Sequence, residues 1–452
     1  MIKLSQTIHD LPHSPTLWAN DLVHQKRKSN ETVYHMGFGE SPFPVPERMK
    51  QALADSAHRK EYLPADGLDE LIDAVKNYYR PLLGDEYIDN SDVLVAPGSK
   101  LFLYALQMAV EGDLLMPVPS WVSYGPQAKM LGTQVIKVPT RLDDEGYHIA
   151  PKDLREAIHN GRREGKNPTK MIINAPNNPT GLTIPSEELP GIAKVCEEEG
   201  VLIISDEIYG LVDYGYTYRS IAKVAPQMTA VSTGLSKHLS LGGWRIGVGF
   251  VPKSIPGLHN ILRVITSETW SSVPSPIQAA CIEAYKSHED IEDHIKACTD
   301  IHTLMNRTIS RGLKEHGIIC PMAQGAFYNY PNFSPFKKEL AKNGIKTSQD
   351  VHVLLLQKYN LATIAGKAFG EAEDILTLRL SGCDYNGAIA LAAYQAGENL
   401  DYAFVQKYAP RVIRSIEIFG EFLDEFAGRK KKNIIPVSNM KQEEQQIKTP
   451  VS

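Results

Sequence analysis

Seven short apolar runs between residues 91 and 252, each bounded by Gly, Pro, Asn or Asp, constrain this chain more than any other feature. They occupy 92–96, 113–116, 134–138, 170–174, 201–204, 229–232 and 246–251. Runs this short do not make helices, whereas buried strands have this length and these boundaries. Helix-forming stretches separate several of them. In 186–199, for example, Ser186 reads as an N-cap with Leu189, Ile192 and Val195 behind it. Strand and helix in alternation predict an α/β fold with a mainly parallel sheet flanked by helices on both faces. A long helical stretch is expected over 280–315. The apolar segments 325–330, 361–364 and 375–380 then predict a smaller α+β domain. The polar tail from Gly428 has few groups to bury and is expected to be disordered, its Arg429 to Lys432 run a solvated end of chain.

Composition narrows the function classes. The chain has 452 residues, 42% hydrophobic and 22% charged, enough for a large core. Lys+Arg 48 against Asp+Glu 53 leaves a net charge of −5, which gives no support to a nucleic-acid-binding surface. No run approaches the roughly 18 apolar residues of a membrane span. The N-terminus carries no apolar stretch of signal-peptide type, so a cytoplasmic location is expected. Five cysteines without paired spacing read as reduced thiols, and no Cys/His set has zinc-site spacing, so no metal is expected.

The polar residues at the ends of the runs carry the chemistry. Ligands of open α/β sheets bind beyond the carboxyl ends of the strands. Asp206 stands at such an end, before Glu207, Ile208 and Tyr209; an Asp there also reads as a helix cap. If a helix begins at this point, Asp206 and Tyr209 share one face. Lys237 follows the next run through a Gly- and Ser-containing loop, and Arg245 precedes the last one after Gly242 and Gly243. An amine and a guanidinium at one sheet edge suit an aldehyde bearing a phosphate, through an imine and a planar fork on phosphate oxygens. Alone, Lys237 reads as a surface lysine. Asn178, in Asn174-Ala-Pro-Asn-Asn178-Pro-Thr-Gly181, offers an amide donor or simply belongs to a turn. Gly98, Ser99 and Lys100 open a helix expected over 101–110, where free backbone N–H groups favour an anion. Trp121 reads as either core or ligand platform. Arg379 lies in the apolar run 375–381, and a buried guanidinium needs an anionic partner, either a ligand or a structural acid.

These stretches resemble the signatures of the pyridoxal-phosphate (PLP) dependent aminotransferases of classes I and II, with the fold-type I architecture of aspartate aminotransferase. The motifs are Glu61-Tyr-Leu-Pro-Ala-Asp-Gly67, Asn178-Pro-Thr-Gly181, Ser205-Asp-Glu-Ile-Tyr209, Leu235-Ser-Lys237, Gly243-Trp-Arg-Ile-Gly247, Gly325-Ala-Phe-Tyr328 and Leu378-Arg-Leu-Ser381. They follow in register over roughly residues 30 to 400. The resemblance implies four parts: an N-terminal arm with part of the small domain over 1–45, a large PLP-binding domain over 46–295, a small domain over 296–427, and the tail.

The resemblance also implies roles. Lys237 would carry PLP and shuttle the substrate proton. Asp206 would pair with the pyridinium N–H, keeping the ring an electron sink. Asn178 and Tyr209 would bond the phenolic oxygen, and Trp121 would stack on the ring. Arg245, Ser99, Ser236 and the backbone of Gly98 to Lys100 would hold the phosphate. Tyr62 would reach the phosphate of a neighbouring subunit, which makes the protein a homodimer. Arg379 would clamp the substrate α-carboxylate, with Gly39, Asn178 and Trp121 lining the same site. The implied reaction is a ping-pong transfer between an L-amino acid and a 2-oxo acid. An elimination or an oxidation on the same fold is the alternative. A PLP-binding regulator is a further one, but the about 40 residues before Gly39 are expected to leave no room for a DNA-binding module. Three positions depart from the family pattern. Gly234 stands where relatives carry Ser or Thr, the proline of Gly39-Glu-Ser-Pro-Phe43 is moved by one, and Ala365 replaces a proline.

Overall fold

A computed structural model of the chain describes residues 31–428 and, before them, residues 2, 4–9, 11, 21, 23–26, 28 and 29. The expected tail lies, apart from Gly428, outside the described residues.

All seven apolar runs are strands of one sheet. Across it the order is Ser91–Ala96, Gly247–Pro252, Thr229–Gly234, Leu202–Asp206, Pro168–Asn174, Asp113–Pro117 and Val135–Val138. Only Gly247–Pro252 runs antiparallel to its neighbours. The strands are apolar on both sides because both faces are covered. Leu94, Ile172 and Ile204 join a cluster with Phe102 and Leu106. The alternate residues enter clusters on the other face: Val93 and Val95 pack with Leu71 and Val75, while Met171, Ile173 and Ile203 pack with Ile158 and Ile192. Period-two alternation in register therefore places two apolar layers on one strand.

A separate cluster gathers Met36, Phe43, Ile301, Met305, Leu355, Leu378, Leu380 and Phe419. Its three-stranded antiparallel sheet has the order Tyr328–Asn329, Leu378–Ser381 and Ile364–Ala365. The strand Tyr34–His35 pairs in parallel with Leu361–Ala362 and brings the chain before residue 45 alongside this cluster.

Two helix expectations need correction. The stretch 280–315 is not continuous: a helix ends at Cys281, a single turn spans Glu283–Tyr285, and the long helix is Glu289–Glu315. Ser287 takes φ 52°, His288 is extended, and Glu289, Asp290 and Glu292 fill the first turn, where acids suit the helix dipole. The expected helix from Ser186 starts instead at Leu189, with Pro190 in the first turn and no side-chain cap. Residues 185–188 form a turn, and the Glu188 carboxylate accepts from Ile149 N and contacts the His148 ring. Leu189, Ile192 and Val195 are buried as the pattern predicts.

Phe102, in the helix Ser99–Ala109, packs its ring where a Cβ at Gly249 would lie. Gly249→Ala is therefore expected to destabilise the fold by about 1–3 kcal/mol through overpacking, read as a lower midpoint in chemical denaturation.

Candidate active site

The carboxyl edge of the large sheet opens into a cavity of about 450 Å³. Five of the seven strands deliver side chains to it as their chains leave the edge. Ser99 and Lys100 follow Ser91–Ala96, Trp121 follows Asp113–Pro117, and Asn178 follows Pro168–Asn174. Asp206 ends its own strand, and Ser236 and Lys237 follow Thr229–Gly234; all of these line the cavity. Arg245 arrives differently. Because Gly247–Pro252 runs in reverse, its amino end lies at this edge, paired with Gly234 and Ala96. The N-terminal segment Phe38 to Ser41, with Gly39, and Tyr328 and Arg379 from the small sheet close the other side.

Asp206 is buried. Its Oδ2 accepts from Tyr124 Oη at 2.6 Å and its Oδ1 from Ile208 N at 3.3 Å. Burial pushes its carboxyl up to about 6, against the pull of Tyr124, Ile208 and the Lys237 charge. No helix begins here, contrary to the shared-face expectation. Residues after Asp206 form tight turns, with Gly210 N donating to Glu207 O at 2.9 Å and Val212 N to Tyr209 O at 2.8 Å. The turn, not a helical period, brings Tyr209 to the cavity.

Lys237 Nζ donates to Gly39 O at 3.2 Å and stands 5.4 Å from the centre of the Tyr209 ring. Burial pulls the amine down to about 8, with the Arg379 charge acting in the same direction. Arg379 is only 1% exposed and pairs with no carboxylate among the described residues, so the structural ion pair is not formed. Its Nη2 donates to Gly37 O at 2.6 Å and its Nη1 to Asn178 Oδ1 at 3.2 Å, while Nε is buried without a partner. The guanidinium lies 4.8 Å from the Tyr328 ring centre and 5.3 Å from that of Phe369. Burial lowers its affinity for the proton.

The opposite end of the cavity is built for close backbone approach. Gly98 has φ 86°, and a Cβ there would overlap the Arg245 guanidinium. Arg245 Nη1 donates to Gly242 O at 2.8 Å and Nη2 to Pro97 O at 3.2 Å. A Cβ at Gly247 would overlap Ser99 N. Gly234, the departure from the family pattern, faces Gly247 across two strands, and its Cβ would stand 3.0 Å from Gly247 Cα. A hydroxyl side chain there would be crowded, whereas Ser236 lies in the cavity wall. Lys100 Nζ stands 5.0 Å over the Trp121 ring.

Two predicted residues do not line the cavity: Gly98 caps the helix behind Ser99, against Arg245, and Tyr62, expected to serve a neighbouring subunit, is 96% exposed. Two residues escaped the sequence reading. Tyr124 lies three positions after Trp121 with its ring edge-on to it at 5.2 Å, a local spacing visible once a turn is assumed. Tyr328, the last residue of Gly325-Ala-Phe-Tyr328, had been part of a motif without a role. Its hydroxyl lies 2.8 Å from that of Tyr209.

The donor set suits a phosphorylated pyridine aldehyde. A buried carboxylate can take a protonated ring nitrogen, an amine of depressed pKa can attack a carbonyl carbon, and a glycine-lined helix start beside a guanidinium can take a phosphate.

The chain is similar to known proteins along most of its length. The profile of the family "Aminotransferase class I and II" matches residues 31–384. An aspartate aminotransferase of Geobacillus stearothermophilus is 30% identical over 83% of this chain and 93% of its own length. An asparagine–oxo-acid transaminase of Streptococcus mutans is 29% identical over 83% of this chain and 94% of its own. In fold, the chain is similar to a Thermus thermophilus aspartate aminotransferase solved with maleate: TM-score 0.74, 24% identity, covering 93% of this chain and 100% of that one. With the profile spanning most of its length, the chain belongs to the class I and II aminotransferases, PLP-dependent enzymes of fold type I that move an amino group between an amino acid and a 2-oxo acid.

Proposed function

We propose that this cavity is the transamination site and that Lys237, Asp206 and Arg379 carry its three essential tasks. The observation behind this is their convergence: an amine near pKa 8, a buried acid near 6 and a buried guanidinium with an unpartnered Nε line one cavity. PLP, when bound, supplies the electron sink that stabilises negative charge at the substrate Cα. Asp206, ionised above about pH 6, holds the proton on the ring nitrogen, and Tyr124 fixes that carboxylate. Lys237 is deprotonated in useful measure near pH 8, as a base that takes a Cα proton and returns it must be. Arg379 turns its free Nε to the substrate α-carboxylate. Asn178 and Tyr209 would hold the phenolic oxygen of the bound cofactor, and Trp121 would pack against its ring. Arg245, Ser99, Ser236 and the backbone of Gly98 to Lys100 hold the phosphate.

The relatives' names make aspartate and asparagine the first amino donors to try. We read the protein as a cytoplasmic homodimer in which exposed Tyr62 reaches the partner's phosphate site. No described helix is long and apolar enough to cross a membrane. A division into large and small domains near 295 and 45 is supported by the core clusters: Ile291 and Ile295 pack with the large sheet, whereas Ala297, Ile301 and Phe43 pack with the small one.

The test is the absorption spectrum of the PLP-loaded protein against single amino acids. The lysine-linked cofactor band should fall with a productive donor and return with a 2-oxo acid. Release of ammonia or uptake of oxygen instead would reassign the reaction. Lys237→Ala should lose both the band and turnover. Arg379→Leu should cost roughly 2–5 kcal/mol in kcat/KM, as the breaking of a desolvated charge pair does; no loss with several donors would remove it as the clamp. Tyr124→Phe deletes a hydrogen bond that favours the ionised form of Asp206, so that pKa rises. The pH at which the apoprotein reaches half its affinity for PLP should then move upward from about 6.

A further inference from the structure

The hydrogen bonds that begin at Arg379 continue past Asn178. A guanidinium only donates, so Arg379 Nη1 gives its proton to Asn178 Oδ1 at 3.2 Å. This orients the amide, whose Nδ2 faces Tyr328 Oη at 3.5 Å, at the long limit of a hydrogen bond. Tyr328 Oη is in turn 2.8 Å from Tyr209 Oη. One hydroxyl of that pair donates and the other accepts. Two observations make Tyr328 the donor. The Arg379 guanidinium lies 4.8 Å over the Tyr328 ring, a cation that favours release of the phenol proton. The amide of Asn178 also points a proton, not an acceptor, at the same oxygen. Burial raises both phenols. The Arg379 charge opposes that rise at both, and leads the opposing causes at Tyr328, whereas at Tyr209 the neighbouring Tyr328 adds to the rise ahead of it. With Tyr209 accepting, its own proton is free to point into the cavity. Room for the Tyr328 hydroxyl exists because residue 39 is glycine: a Cβ there would overlap it.

We propose that Tyr328 is a positioning residue for amino transfer, its hydroxyl donating to Tyr209 so that the Tyr209 proton is aimed at the ring oxygen of the bound cofactor. This rests on the site reading given above. The charged and titratable groups around the pair are Arg379 above the Tyr328 ring, Lys237 over the Tyr209 ring, Asp206 and the Cys383 thiol. A chain of donors polarises each member, so Tyr209 is a stronger donor with Tyr328 behind it than without.

The decisive variant is Tyr328→Phe, which keeps the ring under Arg379 and removes only the hydroxyl. The measurements are the pH titration of the cofactor's visible band in the wild type, Tyr328→Phe, Tyr209→Phe and the double variant, and steady-state kinetics for one donor. A weakened Tyr209 stabilises negative charge on the ring oxygen less well, so the midpoint should move upward in Tyr328→Phe, in the same direction as in Tyr209→Phe. The double variant should move no further than Tyr209→Phe alone. kcat should fall roughly three- to tenfold, with KM nearly unchanged because Arg379 is intact. In the apoprotein, the preference for PLP over an analogue lacking the ring hydroxyl should shrink several-fold. An unmoved midpoint in Tyr328→Phe, or shifts that add in the double variant, would overturn the proposal. A wild type that takes up PLP without forming the band would remove the site reading and this proposal with it.

Discussion

A guanidinium taken almost wholly out of water, with no carboxylate beside it, is the interaction on which this architecture turns. Desolvating one charge costs several kcal/mol even after relaxation, so the surroundings must return most of it. Around Arg379 the return comes from four separate stretches of chain. Gly37 supplies a carbonyl from the N-terminal segment, and Asn178 an amide oxygen from the loop beyond the large sheet. Tyr328 and Phe369 supply ring faces from the small sheet and the loop after Ile364–Ala365. The arginine thereby ties the small core to the large sheet and to the N-terminal segment around Gly37. One buried donor, Nε, is left over. That unpartnered Nε is what supports the proposed role of Arg379 as a carboxylate clamp.

The large sheet solves a second problem, that of gathering six or more polar side chains from segments far apart in sequence. Parallel strands do so naturally, since every chain leaves the sheet at the same edge. The reversed strand Gly247–Pro252 extends the set, because its amino end meets that edge and sets Arg245 against Gly98. The price is sterics. Gly98, Gly234 and Gly247 crowd so closely that side chains at any of them would meet backbone or guanidinium. The departure at Gly234 follows from the same crowding, as the strand opposite offers no room for a hydroxyl.

Much of this was legible in the sequence, for identifiable reasons. Buried parallel strands are apolar on both faces and end abruptly in polar residues, so all seven runs and the residues at their ends stood out. Arg379 was legible because a charge inside an apolar run demands explanation. What failed was local and conformational. The break at Ser287 depends on one residue adopting positive φ, which no periodicity announces. The start of the helix at Leu189 depends on Glu188 being drawn towards His148 and Ile149, a contact between distant segments. Tyr124 and Tyr328 were invisible as site residues because tyrosine is ordinary in a core. Their function lies in where a hydroxyl points, and that is decided by Asp206 in one case and Tyr209 in the other.

Asp206 and Lys237, which line the same cavity, are both pushed towards neutrality by burial. Asp206 rises to about 6 and Lys237 falls to about 8. At pH 7 each still carries its charge for most of the time, but holds it at a cost that water would have relieved. A ligand presenting a cationic ring nitrogen to Asp206 favours the carboxylate and lowers its pKa again. A ligand presenting a carbonyl carbon to Lys237 consumes the neutral amine that burial has made available. Binding therefore relaxes both penalties together, and by linkage the affinity for such a ligand rises with pH through each of the two pKa values. Below about 6 the acid is protonated and cannot pair with the nitrogen; between about 6 and 8 the amine must still lose a proton to react, and above about 8 it is already neutral and the affinity levels off. The same burial that raises Asp206 and lowers Lys237 thus gives the proposed uptake of such a ligand its dependence on pH.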